Sequence, residues 1–345
     1  MKKIFVCLLA ALTLLSCKPA LERGAWNDDT YRALTAVIAE SENQRNYAVF
    51  DCDYTTIIHD VTHAMMVYQI ENLRFSRAPE CCFLDGLDEV DFPLAGLGMT
   101  AREMGQVLAA EYASLKQEKN DSLYRDFRAR FLALDAAVYK NYDYRTLCIW
   151  EPALAVGFTQ DELNEIGRNC LEQAFAQDSL WSEQWVSPDG RFSGTAYKGL
   201  AISPEMKNLY VTLTRSGITP YVCSASPEWL VELLCCDKQW GLGLPKELVY
   251  GLRLIEKEDG FWDFDADYTQ PFKAGKVACI NRYMAPFHGN RSPILIAGDS
   301  EGDVEMLTAY PDLKMGLIID WGRSGAIREL ADRHDGKYFS QQFKK

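Results

Sequence analysis

The sequence predicts an α/β fold, in which a doubly wound parallel sheet is interrupted by an inserted, mostly helical domain. From residue 203 onward, short apolar runs alternate with helical patterns and short connections, which is typical of a parallel sheet. One further apolar run, at residues 47–50, lies far upstream. Between these two parts the pattern is mostly helical. We therefore expect a core made of residues 46–60 and 203–345, and an inserted domain over residues 61–202.

The start of the chain has the pattern of a cleaved leader. Two lysines precede an apolar run over residues 4–15, which is shorter than the roughly 20 residues needed to span a bilayer. Leu-Leu-Ser-Cys at residues 14–17 resembles the bacterial lipoprotein signal, in which the cysteine after the cleavage point is lipidated. We expect residues 1–17 to be a signal peptide and Cys17 to carry the lipid. The alternative is ordinary secretion with Cys17 unmodified.

On the lipoprotein interpretation, the mature protein is anchored to a membrane and faces the periplasm. The default expectation is the outer membrane of a Gram-negative bacterium. No second long apolar run follows the leader, so the membrane is contacted only through the lipid anchor.

Composition narrows the classes of function. Of the 345 residues, 48% are hydrophobic, which is enough for a sizeable core. The formal net charge of −13 argues against nucleic-acid binding, because phosphate backbones are neutralised by basic patches. An acidic surface tolerates a cationic substrate.

The eleven cysteines form no recognisable metal or disulfide pattern. Without Cys7 of the leader and Cys17, nine remain, so at least one thiol is unpaired in a monomer. The adjacent pairs Cys81-Cys82 and Cys235-Cys236 lack the spacing of zinc ligands. We expect three others to be small buried residues: Cys52, Cys223 and Cys279. No disulfide can be assigned.

Residues 18–45 are predicted as a tether followed by a helix that Asn27-Asp28-Asp29 can cap. After the first strand, we expect a helix at residues 57–73, a loop at 80–100, and amphipathic helices at 101–137 and 160–178. His59 and His63 are four residues apart, a spacing that can bind metal. A polar pair near the pocket fits better, because the sequence supplies no third ligand.

After residue 203, the alternating pattern predicts a series of helices and strands. The first is a helix, because Pro204 suits the first turn of a helix. We expect helices at residues 204–214, 228–236, 275–283 and 304–307, and strands at residues 220–223, 248–254, 294–297 and 317–319. A turn with short strands is expected at residues 260–267.

Polar residues fall where predicted strands end or where one helix begins: Asp51, Asp53, Ser224, Lys276, Asp299 and Asp303. Because the carboxyl ends of parallel strands meet at one edge of a sheet, we expect these side chains to share one pocket. Carboxylates that lie so close together repel each other unless a cation separates them. Mg²⁺ takes oxygen ligands, so it is the expected ion.

These motifs, in this order, resemble those of the haloacid dehalogenase-like hydrolase superfamily, which consists mostly of phosphatases. The resemblance spans residues 46–320 and includes all four motifs: Asp51-Cys52-Asp53-Tyr54-Thr55, Ser224, Lys276, and Gly298-Asp299-Ser300-Glu301-Gly302-Asp303. It implies a Rossmann-like core, with the helical insertion as a cap domain. Three further segments are similar to the phosphoserine phosphatase-like branch, and within it to exported bacterial phosphorylcholine phosphatases: Ser224-Ala225-Ser226-Pro227-Glu228, Pro204-Glu205-Met206 and Asp60-Val61.

The resemblance implies a role for each motif residue. Asp51 would attack the phosphoryl group and form an aspartyl-phosphate, and Asp53 would protonate the leaving oxygen and then activate water. A second aspartate at that position favours phosphate esters over carbon–halogen bonds, which have no leaving oxygen to protonate. Ser224 and Lys276 would bind phosphoryl oxygens, with Lys273 as the alternative lysine.

Mg²⁺ would be the cofactor, held by Asp51, Asp299 and the backbone carbonyl of Asp53. Asp303 would hold a metal-bound water or orient Lys276. The predicted activity is Mg²⁺-dependent hydrolysis of a small phosphomonoester, with phosphocholine and phosphoserine-like esters as candidate substrates. The alternatives are a phosphotransferase of the same fold and a catalytically silent lipoprotein that binds a phosphorylated ligand.

Aromatic residues of the inserted domain could hold a quaternary ammonium group by cation–π contact: Trp150, Trp181, Trp185, Tyr142 and Tyr144. Glu183 could assist them. The competing interpretation is that these aromatic residues pack in a core.

Overall fold

The computed structural model describes residues 20–75, 83–87, 89–176, 180–256 and 262–343. The predicted signal peptide lies outside the described residues, and with it Cys7 and the predicted lipidation site Cys17. The Cys81-Cys82 pair also lies outside them. Over the described ranges, the helices are too short or too polar to cross a membrane.

A six-stranded parallel sheet forms the centre of the molecule. The described strands are β1 (Tyr47–Phe50), β2 (Trp181–Val186), β3 (Ser193–Lys198), β4 (Thr219–Pro227), β5 (Val249–Leu252), β6 (Leu254–Glu256), β7 (Trp262–Phe264), β8 (Leu295–Gly298), β9 (Met315–Ile319) and β10 (Tyr338–Gln341). The order across the sheet is β10-β9-β8-β1-β4-β5, and β2–β3 and β6–β7 form separate antiparallel pairs. Val49 of β1 lies between Tyr221 and Ile296 of its two neighbours. The predicted fold class is confirmed.

The described helices lie on the two faces of this sheet and in the inserted domain. They are α1 (Asp28–Ser41), α2 (Val61–Asn72), α3 (Ala101–Gln117), α4 (Asp121–Asn141), α5 (Tyr144–Ala153), α6 (Gln160–Phe175), α7 (Pro204–Arg215), α8 (Glu228–Cys236), α9 (Ala274–Cys279), α10 (Val304–Thr308) and α11 (Ala326–Ala331). Side chains of β1 alternate between two apolar clusters, with Ala48 and Phe50 in one and Tyr47 and Val49 in the other. A strand buried on both faces is a continuous apolar run, which explains the sequence signal.

The inserted domain has an apolar cluster of its own, supplied mainly by α3 and α4. It also contains the β2–β3 hairpin, which the sequence analysis did not predict. Most positions of β2 are exposed, so the strand carries no apolar run that would reveal it. Gly194 of β3 lies so close to α4 that a Cβ there would be 2.3 Å from the Cβ of Leu132. The predicted helical cap is therefore a mixed domain.

Other boundaries differ from the sequence predictions. The helix expected from residue 57 begins only at Val61, because the Asp60 carboxylate caps it by accepting a hydrogen bond from the backbone of His63 at 2.9 Å. The expected tether is packed where it is described, since Leu21 and Trp26 are buried. The inserted domain is not wholly separate, because one face of α6 belongs to the apolar cluster of the sheet.

The seven described cysteines are all free thiols, and six of them are buried. The expectation of small buried residues is confirmed for three of them: Cys52, Cys223 and Cys279.

Candidate active site

The loop after β1 places two aspartates at the carboxyl edge of the sheet. The backbone N–H of Asp51 donates to the Ala297 carbonyl at 3.0 Å, which extends the ladder between β1 and β8 by one residue. The chain then turns sharply, with Tyr54 in the left-handed region at φ 55°. The Trp321 indole donates to the Tyr54 carbonyl at 2.6 Å and holds this turn. Both carboxylates therefore come from a backbone fixed by strand pairing and by a strained turn.

Lys276 lies between two of the acids that follow strands. Its Nζ donates to Asp51 Oδ1 at 2.6 Å and to Asp303 Oδ1 at 2.7 Å, and its side chain is 2% exposed. Burial alone would lower the pKa of Lys276, but the carboxylates of Asp303 and Asp51 raise it well above its ordinary value. A permanent positive charge therefore lies beside the predicted nucleophile.

Lys273, the alternative candidate for the phosphate-binding lysine, does not contact the buried acids as Lys276 does. Lys273 places its Nζ over the Tyr144 ring, 4.9 Å from the centroid. The glycine before Lys276 is required, because a Cβ at Gly275 would lie 2.1 Å from the Gln270 carbonyl oxygen.

Three buried acids could hold a metal ion. One oxygen from each of Asp51, Asp299 and Asp303 lies within 4.8 Å of the others. Asp303 is fixed by the backbone N–H groups of Asp299 and Ser300, which donate to its Oδ2 at 3.0 and 3.1 Å. Asp299 Oδ2 is buried and receives no well-aligned hydrogen bond from the described residues. This set of hard oxygen donors, one of them incompletely satisfied, fits Mg²⁺.

The same crowding shifts the ionisation of the cluster. Burial raises the pKa of Asp51 to about 7, and Asp303 adds to the increase although Lys276 opposes it. Burial also raises the pKa of Asp299 well above its usual range, followed by the effect of Asp303. The site therefore favours a divalent cation that would relieve the repulsion among its carboxylates.

Asp53 belongs to a different hydrogen-bond network from the metal cluster. Its Oδ1 accepts from the backbone of Val61 at 2.7 Å, and its Oδ2 accepts from the Ser226 hydroxyl at 2.7 Å. Burial raises the pKa of Asp53 to about 7, with a further increase from Asp60. A carboxyl group with a pKa near neutrality can both donate and accept a proton, as a general acid and base must.

The second motif contributes two serines to the site, the predicted Ser224 and also Ser226. Ser224 is fully buried, and its hydroxyl lies 3.4 Å from Asp53 Oδ2. Ser226 lines the cavity and bonds to Asp53 more closely. The Ser-Ala-Ser spacing carried the signal for Ser226, since alternate residues of a strand share a face. Phosphate binding by Ser224 stays a prediction.

The reacting groups open into a cavity of about 790 Å³ between the sheet edge and the inserted domain. That volume is typical of small-molecule sites. Three acids that the sequence analysis did not assign to the site line the same cavity: Asp60, Asp135 and Glu151. They are joined there by four tyrosines: Tyr54, Tyr139, Tyr144 and Tyr197. We call Asp60, Asp135 and Glu151 the acidic trio.

The members of the acidic trio are close enough to affect one another. Burial raises the pKa of Asp60 to about 7, and Glu151 adds to it. Burial and then Asp60 raise the pKa of Asp135 to about 7. Burial and then Asp135 raise the pKa of Glu151 to about 8, while a hydrogen bond with Tyr139 lowers it. The ionised forms of three acids that hinder one another's ionisation would be stabilised by a nearby cation.

Most of the aromatic residues expected to hold an ammonium group are elsewhere. Trp150 and Trp185 are buried, and the Trp150 indole donates to the Phe83 carbonyl at 3.0 Å. Trp181 is 44% exposed, and Tyr142 packs against Phe92. Of the five, Tyr144 alone lines the cavity, and Glu183 does not. The competing interpretation, packing in a core, is therefore correct for both buried tryptophans.

The two histidines are polar groups with different hydrogen-bond partners. His63 lines the cavity and accepts a hydrogen bond from the backbone of Tyr197 at 3.2 Å. Burial lowers its pKa to about 4, so it is neutral at physiological pH. His59 bonds through Nδ1 to the Gly199 carbonyl at 3.0 Å. In the described ranges, neither histidine is part of a cluster of metal-binding side chains.

The fold, and the four motifs gathered at the carboxyl edge of its sheet, are similar to those of the haloacid dehalogenase-like superfamily. The chain is 25% identical over 320 residues to phosphorylcholine phosphatase of Pseudomonas aeruginosa, covering 85% of this chain and 80% of that protein. A solved structure of a conserved, functionally unknown protein from Anaerococcus prevotii matches with a TM-score of 0.81 at 24% identity, covering 95% of this chain and 100% of that one. This structural likeness supports the fold. No protein-family model matches the chain.

Proposed function

We propose that the chain is a Mg²⁺-dependent phosphatase that hydrolyses a small phosphomonoester of a cationic alcohol through an aspartyl-phosphate. The observation that carries the proposal is the arrangement around Asp51. This carboxylate is paired with Lys276, lies next to the buried acids Asp299 and Asp303, and shares a cavity with Asp53. The phosphatase activity of the Pseudomonas aeruginosa relative supports the same reaction class.

Each of the site residues can be assigned a role in the hydrolysis. Asp51 attacks phosphorus in line with the leaving oxygen, and its bond to the phosphoryl group replaces the ester bond. Asp53, protonated near its pKa of about 7, gives its proton to the leaving oxygen and then removes one from the attacking water. Lys276 neutralises charge on the phosphoryl oxygens. Asp51, Asp299 and the Asp53 carbonyl would hold Mg²⁺, with Asp303 beside them, and the bound ion would supply further charge neutralisation.

The acidic trio favours a substrate that carries a cationic group. Its three carboxylates line the cavity that receives the ester, and Tyr139 and Tyr144 add aromatic surface. Phosphocholine fits this chemistry. Phosphoserine fits less well, because its carboxylate would be repelled by the trio. A phosphotransferase or a silent binding protein would use the same residues, so the assay below includes an alcohol acceptor.

Phosphate release by the chain from Lys18 onward tests this proposal. We expect metal-dependent turnover that a chelator abolishes, with kcat/KM for phosphocholine roughly 100-fold above that for glycerol phosphate. Phosphoserine should rank with glycerol phosphate, whose alcohol part is uncharged. Transfer to an added alcohol in place of phosphate release would indicate the phosphotransferase. The absence of turnover on any ester, with the protein folded and Mg²⁺ bound, would indicate the silent binding protein.

We also propose that the mature protein is a lipoprotein anchored through Cys17 and facing the periplasm. The proposal is supported by the leader pattern alone. The Cys17→Ala variant should lose label from radioactive palmitate and move from the membrane fraction to the soluble periplasmic fraction. Cys52→Ala is the matched control and should keep both label and location. A wild-type protein that takes up no palmitate would refute the anchor and leave the enzymatic proposal intact.

A further inference from the structure

Arg323 contacts the candidate metal site, although none of the four motifs contains it. Its Nη2 lies 2.8 Å from Asp299 Oδ2, and its guanidinium lies over the Tyr54 ring, 5.1 Å from the centroid. The residue belongs to the loop after β9 and lines the cavity. Gly322 and Gly325, both with positive φ, flank this loop segment. A short segment between two such glycines can change direction at little steric cost.

The charges of the site are distributed between two cations. Lys276 pairs with Asp51 and Asp303, and Arg323 pairs with Asp299. Across the described ranges, no other cation forms an ion pair with Asp299. Together the two cations partly compensate three buried acids in the protein without metal.

The Arg323 contact is much weaker than the Lys276 contacts. Lys276 is 2% exposed and donates two well-formed hydrogen bonds. Arg323 is 42% exposed, and Asp299 Oδ2 receives no well-aligned hydrogen bond despite the short distance. The guanidinium is already partly in water, whereas Asp299 is only 3% exposed, so the contact can be broken by movement of the arginine alone.

From these contacts we propose that Arg323 is a built-in counter-ion of the metal site, which a divalent ion must displace from Asp299. This inference rests on the proposed metal-dependent function. The guanidinium is not deprotonated in proteins, so it can yield its place only by moving. By Coulomb's law, a fixed positive charge beside a carboxylate opposes the arrival of a second cation. Arg323 therefore weakens Mg²⁺ binding and protects the metal-free site from its own repulsion.

Calorimetric titration of the full-length protein with MgCl₂, in the absence of substrate, tests this inference. Arg323→Ala should bind Mg²⁺ about tenfold more tightly than wild type, because it removes the competing charge. Arg323→Lys should stay within about twofold of wild type, because it keeps the charge. Arg145→Ala is a matched control: Arg145 is 45% exposed, pairs with Asp263 at 2.6 Å and lies over the Phe264 ring. It should leave the affinity unchanged.

A thermal measurement provides a second readout. The rise in Tm on adding Mg²⁺ should be larger for Arg323→Ala than for wild type, because tighter binding stabilises the folded state more. Arg323→Gln replaces the alanine variant if the latter does not fold. Unchanged or weaker Mg²⁺ binding in the charge-free variants would overturn the role of Arg323 alone. A wild-type protein that binds no Mg²⁺ would overturn the metal site, the proposed function and this inference together.

Discussion

Replacing Asp51 by asparagine should reduce kcat for phosphate release by a factor of about 10⁴ or more on every ester. The amide cannot form the aspartyl-phosphate, and it also removes one carboxylate from the metal cluster. The loss should therefore be independent of the leaving group. Phosphate release under saturating substrate, with and without Mg²⁺, measures it.

The fold should survive this substitution. Burial and Asp303 already raise the pKa of Asp51 to about 7, so its charge is unfavourable in the metal-free protein. The amide keeps the shape and removes that repulsion, while Lys276 retains Asp303 as a partner at 2.7 Å. We expect the Tm in the presence of a chelator to be unchanged or higher. Asp91→Asn, at an exposed ion pair with Arg102, is the control and should keep full activity. Substantial residual turnover in Asp51→Asn would assign the nucleophile elsewhere.

Replacing Glu151 by glutamine should change substrate preference with little effect on the chemistry. Glutamine keeps the size and can still bond to Tyr139, but it removes one charge of the acidic trio. We expect kcat/KM for phosphocholine to fall roughly 30-fold, because a cation in the cavity loses a buried partner. Hydrolysis of glycerol phosphate should change by less than about threefold. The measured quantity is the ratio of the two kcat/KM values.

The matched control for this prediction is Glu183→Gln. Glu183 is an acid of the same domain that does not line the cavity, so its replacement should leave the ratio unchanged. An equal loss on both esters in Glu151→Gln would instead indicate damage to the reacting groups and would contradict the cation site.

The acidic trio also sets the pH dependence of cation binding. The pKa values of its members are raised to about 7 or 8, so the trio is ionised above pH 8 and becomes protonated as the pH falls through 7. Affinity for a cation is therefore highest at high pH and lost on acidification. Choline added as a ligand should raise the Tm more at pH 8.5 than at pH 6, and this difference should shrink in Glu151→Gln.

The sequence by itself determined five of the six strands of the sheet, in their order along the chain, and the reacting motifs, whereas the edge strand β10 was not predicted. Residues 47–50 gave a clear signal because a strand buried on both faces is uniformly apolar. The acids of the first and last motifs follow directly from strand ends, so knowing the strands fixes where Asp51 and Asp299 lie. These features can be predicted because each depends on a short stretch of chain whose local pattern favours the same structure that it adopts in the fold.

Only the tertiary structure decided how the cavity is lined. The acidic trio comes from three places in the chain: Asp60 caps one helix, and Asp135 and Glu151 lie in two others. The sequence signalled Asp60 only as part of the Asp60-Val61 segment, and it gave no signal for the other two acids. Trp150 and Trp185 share their sequence character with ligand-binding aromatics, yet packing buries both. Arg323 lies outside every motif and reaches Asp299 only because β8 and β9 are neighbours. Such contacts depend on how distant segments pack, which local propensity and hydrophobic period do not encode.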